Sequence, residues 1–384
     1  MKKEIKTIGI IGMGSVGTSI AYLLQKANLN IIAFKPKAKT YRQLMQDGKI
    51  KIINKTTPNA PSSTGQLNIN ITDSLLELVN HSDLILNCCL FPQSSDTYHF
   101  NPYQKAILKK KNTPILAFPG TLGSTWFIGL GKIEVGLIGY SPVFSTKENT
   151  LPSSAGLTIK LLDFKSRIPL AHDDPNTRLY LLDFFNKHLK FKDKVPTFID
   201  GGSCLQTALS SPISTINAAA ICNKAQQLID SNGQAIKGAI YALEEEYSQL
   251  FQNAFQEQLN VANALDLFNL PTIKDWLSNR KNNLQSNCVT DMLHQTYKNK
   301  IIAISGTDRR ITESYYALLF FKTFAQTLGI QVPATEILIT QIKQLQQALS
   351  KSYAFQDIDL ALQNAALHYA KNILSKREIG ELVI

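Results

Sequence analysis

The segment Gly12-Met13-Gly14-Ser15-Val16-Gly17 follows directly on the β-branched run Thr7-Ile8-Gly9-Ile10-Ile11. It opens a helical pattern, Thr18 to Ala27, with apolar Ile20, Ala21, Leu23 and Leu24. A second apolar run, Asn30-Ile31-Ile32-Ala33-Phe34, comes next. Glycine at this spacing, between a strand and a helix, suits the pyrophosphate of a dinucleotide. Gly12 permits the tight turn, Gly14 lets phosphate approach the backbone, and Gly17 lets helix and strand pack closely. The helix N-terminus, where Ser15, Val16 and Gly17 stand, would supply N–H groups and a partial positive charge to the phosphates, and Met13 completes the loop.

The end of the second run bears on the choice of dinucleotide. An acid there would bond the ribose 2′-hydroxyl of NAD. Lys35-Pro36-Lys37-Ala38-Lys39-Thr40 contains none. Lys35 and Lys37 would instead attract a 2′-phosphate, so NADP (as NADPH) is the expected cofactor. Further on, Ser82 to Leu90 reads as a buried strand, and its carboxyl end, Cys89 and Leu90, is expected to border the cofactor. Pro114 to Phe118 reads as another strand. The loop Pro119-Gly120-Thr121-Leu122-Gly123-Ser124 after it is expected over the nicotinamide side.

These elements define an α/β Rossmann-type N-terminal domain with a parallel sheet. The stretches Ile133 to Ile138 and Gly156 to Leu162 are expected to continue that sheet, and Lys165 to Ala171 to close it. After Pro196 and Gly201-Gly202 the pattern turns helical, in Ala218 to Ile229, Gln234 to Leu259, Ser314 to Leu328 and Glu336 to Leu349. The expected boundaries are 1–197 for the nucleotide domain and 203–384 for an all-α C-terminal domain for substrate binding and dimerisation.

Composition excludes several classes. With 384 residues, 44% of them hydrophobic, the chain has material for two cores. No apolar run is long enough to span a bilayer, and no cleavable leader stands out, so a cytoplasmic protein is expected. The five cysteines have neither zinc nor disulfide spacing, and no metal is expected. The formal charge of +11 comes from scattered lysines rather than a basic stripe interleaved with aromatics. Anionic cofactors and carboxylate substrates account for it better than nucleic acid.

Several segments resemble the opine dehydrogenase family, the octopine, nopaline and opine-metallophore enzymes. They are Pro119 to Ser124, Phe164 to Ala171, Gln206-Thr207-Ala208-Leu209-Ser210-Ser211-Pro212-Ile213, and Arg309-Arg310-Ile311-Thr312-Glu313-Ser314-Tyr315-Tyr316 with the later Leu328-Gly329-Ile330-Gln331-Val332-Pro333. The Tyr315-Tyr316 pair is closer to the metallophore branch. The resemblance implies NADP-dependent reductive condensation of an amino group with an α-keto acid, chemistry at a CH–NH bond. It implies amino-acid and keto-acid substrates, with a homodimer as one allowed assembly. It puts Arg309 at the position of the family's carboxylate-binding arginine, Thr215 at that of the catalytic histidine and Ser314 at that of its aspartate. A cleft between domains where Arg309, Thr215 and Ser314 converge is the corresponding expectation.

Two other readings fit the same layout. One is a ketopantoate- or hydroxy-acid-type NADPH reductase, for which Asn217, Asn223 and Lys224 are the candidate residues. The other is a non-enzymatic NADP-binding protein that lacks the catalytic pair.

Overall fold

The computed structural model describes residues 4–34, 49–54, 63–89, 107, 113–124, 135–139, 141, 143–149, 157–164, 167–189, 197–278, 286–349 and 355–378. They divide into two compact units. The first comprises Met1–Gly120 and Ser124–Thr207, and the second Thr121–Gly123 and Ala208–Ile384.

The first unit is built on β1 (Thr7–Ile11), α1 (Ser15–Lys26) and β2 (Asn30–Phe34). There follow β3 (Lys49–Asn54), β4 (Ser63–Asn68), β5 (Asn70–Thr72), α2 (Leu75–His81), β6 (Leu84–Asn87), β7 (Ile115–Ala117) and β8 (Val135–Ile138). The unit continues through β9 (Val143–Asn149), β10 (Leu157–Phe164), β11 (Ile168–Ala171), α3 (Pro175–His188) and β12 (Phe198–Asp200). Its main sheet has eight strands among the described residues, in the order β12-β11-β8-β7-β6-β1-β2-β5. All neighbours pair in parallel except β8 and β11.

Alternation along the strands fills a core on each face. Ile8, Ile10, Ile31, Leu84 and Leu86 point to one side, where they join Ile20 and Leu24 of α1. Ile11, Ile32, Phe34 and Ile85 point to the other, against Leu75 and Leu78 of α2. Ser74 caps α2 by accepting from the Glu77 N–H.

The expectation for Gly156 to Leu162 is corrected. This strand, β10, leaves the main sheet and forms a second one in the order β4-β3-β10-β9. Its apolar Ile159 and Leu161, with Ile50, Ile52 and Leu67, enter the core that holds α1. The apolar pattern is that of a buried strand either way. Pairing with β3, about a hundred residues earlier, is a non-local event that periodicity does not encode. The main sheet also continues one strand past β11, to β12.

The second unit contains α4 (Cys204–Leu209) in part, then α5 (Ile213–Asn223), α6 (Ala225–Asp230), β13 (Ile236–Gly238) and α7 (Glu245–Ala264). It goes on through α8 (Ile273–Ser278), α9 (Val289–Tyr297), β14 (Ile302–Ile304), α10 (Arg309–Thr327), α11 (Pro333–Ala348) and α12 (Phe355–Glu378). It is helical but not all-α, because β13 and β14 pair as an antiparallel ribbon. The expected helix from Gln234 to Leu259 is therefore a strand followed by α7, and Ala218 to Ile229 is two helices, α5 and α6.

Helix α11 runs back along α10. Lys322 and Gln326 both reach Glu336, while Lys343 lies over the Tyr315 ring at the other end. Glu257 of α7 is buried and closes the start of α11. Its carboxylate accepts from the Ala334 N–H at 2.7 Å, the Thr335 N–H at 3.0 Å and the Thr335 hydroxyl at 2.6 Å. Those N–H groups have no partner inside the helix, so an acid supplied by another helix both caps and cross-links. Among the described residues no helix is long and apolar enough to cross a membrane.

Candidate active site

The chain order reverses around β1. The connection through α1 leads to β2 on one side, and the later connection through α2 leads to β6 on the other. The carboxyl ends of β1 and β6 therefore flank a topological switch point, where open α/β sheets leave a crevice for ligand. Gly12 lies there with φ +95°. A Cβ on it would stand 2.7 Å from Cys89 Sγ and 2.9 Å from the Cys89 nitrogen. A Cβ on Gly17 would come within 2.0 Å of the Gly12 carbonyl oxygen. Both positions exclude a side chain, for the reasons the sequence suggested.

Gly14 differs. It is exposed, and a Cβ there would meet nothing within 4 Å. The space in front of it is open, and Gly14 is the N-cap of α1. That helix has no side-chain cap and no acid in its first turn, so its positive end is left for an external anion. The residues present fit a dinucleotide pyrophosphate. Ser15 and Val16 are half-buried in this first turn, while Met13 is turned into the core. Cys89 lies against Gly12 of the loop. Leu90, Lys35 and Lys37 lie outside the described residues.

An open polar groove of about 650 Å³ occurs elsewhere in this unit, lined by Thr7, Asn30, Asn70, Glu77 and His81. It sits at the amino ends of β1, β2 and β5, the wrong end of the sheet for the dinucleotide.

In the helical unit, Thr215 on α5 and Ser314 on α10 are 0% and 1% exposed. Both hydroxyls are buried without a hydrogen-bond partner among the described residues. Helices α5 and α10 pack directly on one another. Arg309 is the first residue of α10, and its side chain lies outside the described ones. Tyr315 and Tyr316 are core residues. The Tyr315 hydroxyl donates to Asp359 at 2.7 Å, and burial, aided by that bond, pushes its pKa up.

A polar cluster that sequence reasoning did not assemble stands at the starts of α5 and α10. Arg310 donates from Nε and Nη2 to the two Asp308 oxygens at 2.8 and 2.6 Å, and from Nη2 to the Ala303 carbonyl at 2.7 Å. The Tyr241 hydroxyl lies within its electrostatic reach. Tyr241 in turn donates to Asn217 Oδ1 at 2.6 Å. Burial alone would lower the guanidinium pKa, but the bonds to Asp308 and the nearby Tyr241 outweigh it and raise the pKa, so Arg310 is firmly cationic. No motif marks this cluster, whose members come from three separate segments.

The histidines outside it are accounted for locally. His172 is buried and accepts from the Asp174 N–H, His188 packs on Phe184, and His368 is exposed. His81 Nδ1 bonds the Glu77 carbonyl oxygen. His294 Nε2 bonds the Leu243 carbonyl oxygen at 2.8 Å, which brings it near Tyr241. His99 lies outside the described residues. Asn223, a candidate for the hydroxy-acid reading, has both amide atoms buried and unpartnered among the described residues, and Lys224 ends α5.

Comparison with known proteins agrees with this architecture. Residues 7–99 match the family model described as NADP oxidoreductase, coenzyme F420-dependent. No curated protein matches the chain. Among solved structures, octopine dehydrogenase with NADH and L-arginine is similar at TM-score 0.69 and 14% identity, covering 88% of this chain and 89% of that one. Yersinopine dehydrogenase with NADP+ gives TM-score 0.70 at 10% identity over 97% of this chain and 100% of that one. A ketopantoate reductase from Ralstonia eutropha JMP134 gives 0.58 at 15% identity, covering 90% and 100%. The resemblance to opine dehydrogenases read from the sequence thus holds at the level of the fold, an NAD(P)-dependent oxidoreductase fold that ketopantoate reductases also share.

Proposed function

We propose that this chain is an NADP-dependent oxidoreductase of opine dehydrogenase type, which joins an amino group to an α-keto acid reductively. The amine and keto carbonyl condense to an imine with loss of water. Addition of hydride to the imine carbon and a proton to its nitrogen gives a secondary amine. NADPH, when bound, supplies the hydride.

The observation that carries the reading is the glycine cradle. Gly12 and Gly17 close the loop, Gly14 leaves space, and the uncapped start of α1 faces it. In this reading Lys35 and Lys37 receive the 2′-phosphate, while Cys89 and Leu90 border the cofactor. Arg309 takes a substrate carboxylate, since a guanidinium offers paired donors in a fixed fork. Thr215 and Ser314 occupy the places of the acid–base pair without its chemistry, because neither hydroxyl titrates near neutral pH. Imine formation in solution would leave the protein chiefly with orientation of the two reactants.

Purified protein with NADPH and a panel of amines and keto acids tests this. Turnover is expected only when an amine and a keto acid are present together. The shared fold with ketopantoate reductase makes single-carbonyl reduction the competing reading, and NADPH oxidation by one carbonyl compound alone would select it. Tight NADPH binding without turnover across the panel would select the non-enzymatic reading. Lys35→Asp is expected to turn the preference from NADPH toward NADH, and an unchanged ratio would reject that assignment. Arg309→Ala is expected to raise the substrate KM about 10- to 100-fold, as for a lost charged hydrogen bond, with NADPH affinity intact.

A further inference from the structure

Within the helical unit, beside the Asp308–Arg310 pair, the Tyr241 hydroxyl donates to Asn217 Oδ1 at 2.6 Å. A phenol has a single proton, and here it goes to Asn217. The Asn217 amide must then present Oδ1 to Tyr241, which turns the two N–H bonds of Nδ2 the other way. Asn217 is half-buried rather than enclosed, and its nitrogen makes no hydrogen bond among the described residues.

We propose that Asn217 Nδ2 is a substrate-binding donor, oriented by Tyr241, that takes a carboxylate oxygen of the keto acid or amino acid. The amide offers only donors on that side, which suits a carboxylate oxygen. Asp308 does not oppose an incoming carboxylate, because its two oxygens are already held by Arg310. Arg309 opens the same helix one residue earlier, so the expected carboxylate arginine and Asn217 share one end of the helical unit. Thr215, two residues before Asn217, is fully buried and does not compete for the ligand. The choice of carboxylate rests on the proposed function; the orientation of the amide does not.

Oxalate titrated calorimetrically into the full chain, with and without saturating NADPH, is the test. Asn217→Asp keeps an acceptor for Tyr241 but replaces the N–H donor by an anionic oxygen. It is expected to weaken oxalate binding about 30-fold or more, with NADPH affinity unchanged. Tyr241→Phe releases the amide to turn and should cost about 3- to 10-fold. Asn217→Ser, small and neutral, should lose about 10-fold and serves if the added charge prevents folding. Oxalate binding by Asn217→Asp within a factor of about two of wild type would overturn the proposal, as would failure of the wild-type chain to bind oxalate. Asn217-dependent oxalate binding without turnover of any amine and keto-acid pair would remove the reaction and leave this carboxylate site standing.

Discussion

Gly14 and Gly17 belong to one motif but exclude side chains for different reasons, and that difference can be measured. At Gly17 a Cβ collides with backbone 2.0 Å away, so Gly17→Ala should destabilise the first unit and weaken NADPH binding together. At Gly14 nothing in the protein obstructs a side chain, and its φ of −80° is open to any residue. Gly14→Val should therefore melt like wild type yet lose NADPH binding at least about 100-fold. Thermal melts with NADPH titration of both variants check this, and equal loss of stability in the two would contradict it. The cysteines offer a second probe. Burial raises the thiol pKa of Cys88 and Cys204 well above normal and that of Cys222 to about 12, so little thiolate exists at neutral pH. Exposed Cys288 and half-buried Cys89 should carry the labelling by an alkylating reagent. NADPH is expected to protect Cys89 and leave Cys288 unchanged, read by peptide mass spectrometry. Equal labelling of Cys89 with and without NADPH would move the cofactor away from the loop. Thr215→Val removes a buried hydroxyl that has no partner among the described residues and should leave stability equal or raise it by about 1 kcal/mol, with turnover preserved.

At the scale of elements, the cap on α11 depends on a residue distant in sequence. Glu257→Ala would leave two buried N–H groups and the Thr335 hydroxyl unpaired. A loss of about 2 kcal/mol in unfolding free energy is expected, read from the denaturant midpoint of the helical unit. An unchanged midpoint would show that water replaces the carboxylate at no cost. Elements with local signals were legible in the sequence, and those made by distant pairing were not. The β1–α1–β2 unit carries its own punctuation. By contrast Ile236–Gly238 becomes a strand only because Ile302–Ile304 pairs with it. Strand β10 was legible as a strand, but its sheet was not, since one alternating pattern serves either sheet. Asn217 was visible as a residue type, yet its amide is fixed by Tyr241, 24 residues later.

Over the whole molecule, the two units divide the evident tasks. The first carries the glycine loop proposed for the dinucleotide, and the second carries the amide proposed for a carboxylate. The formal charge of +11 favours anionic ligands at both. The fold, shared with octopine and yersinopine dehydrogenases and with ketopantoate reductase, is compatible with more than one reduction, so the bond that receives hydride is the point to test. The most direct measurement is to follow deuterium from NADPH labelled at the transferring C4 position, with an amine and an α-keto acid supplied together. The account predicts a secondary amine with one deuterium on the former keto carbon, formed only when both substrates are present. Deuterium appearing instead in a hydroxy acid, with the amine unchanged, would contradict it.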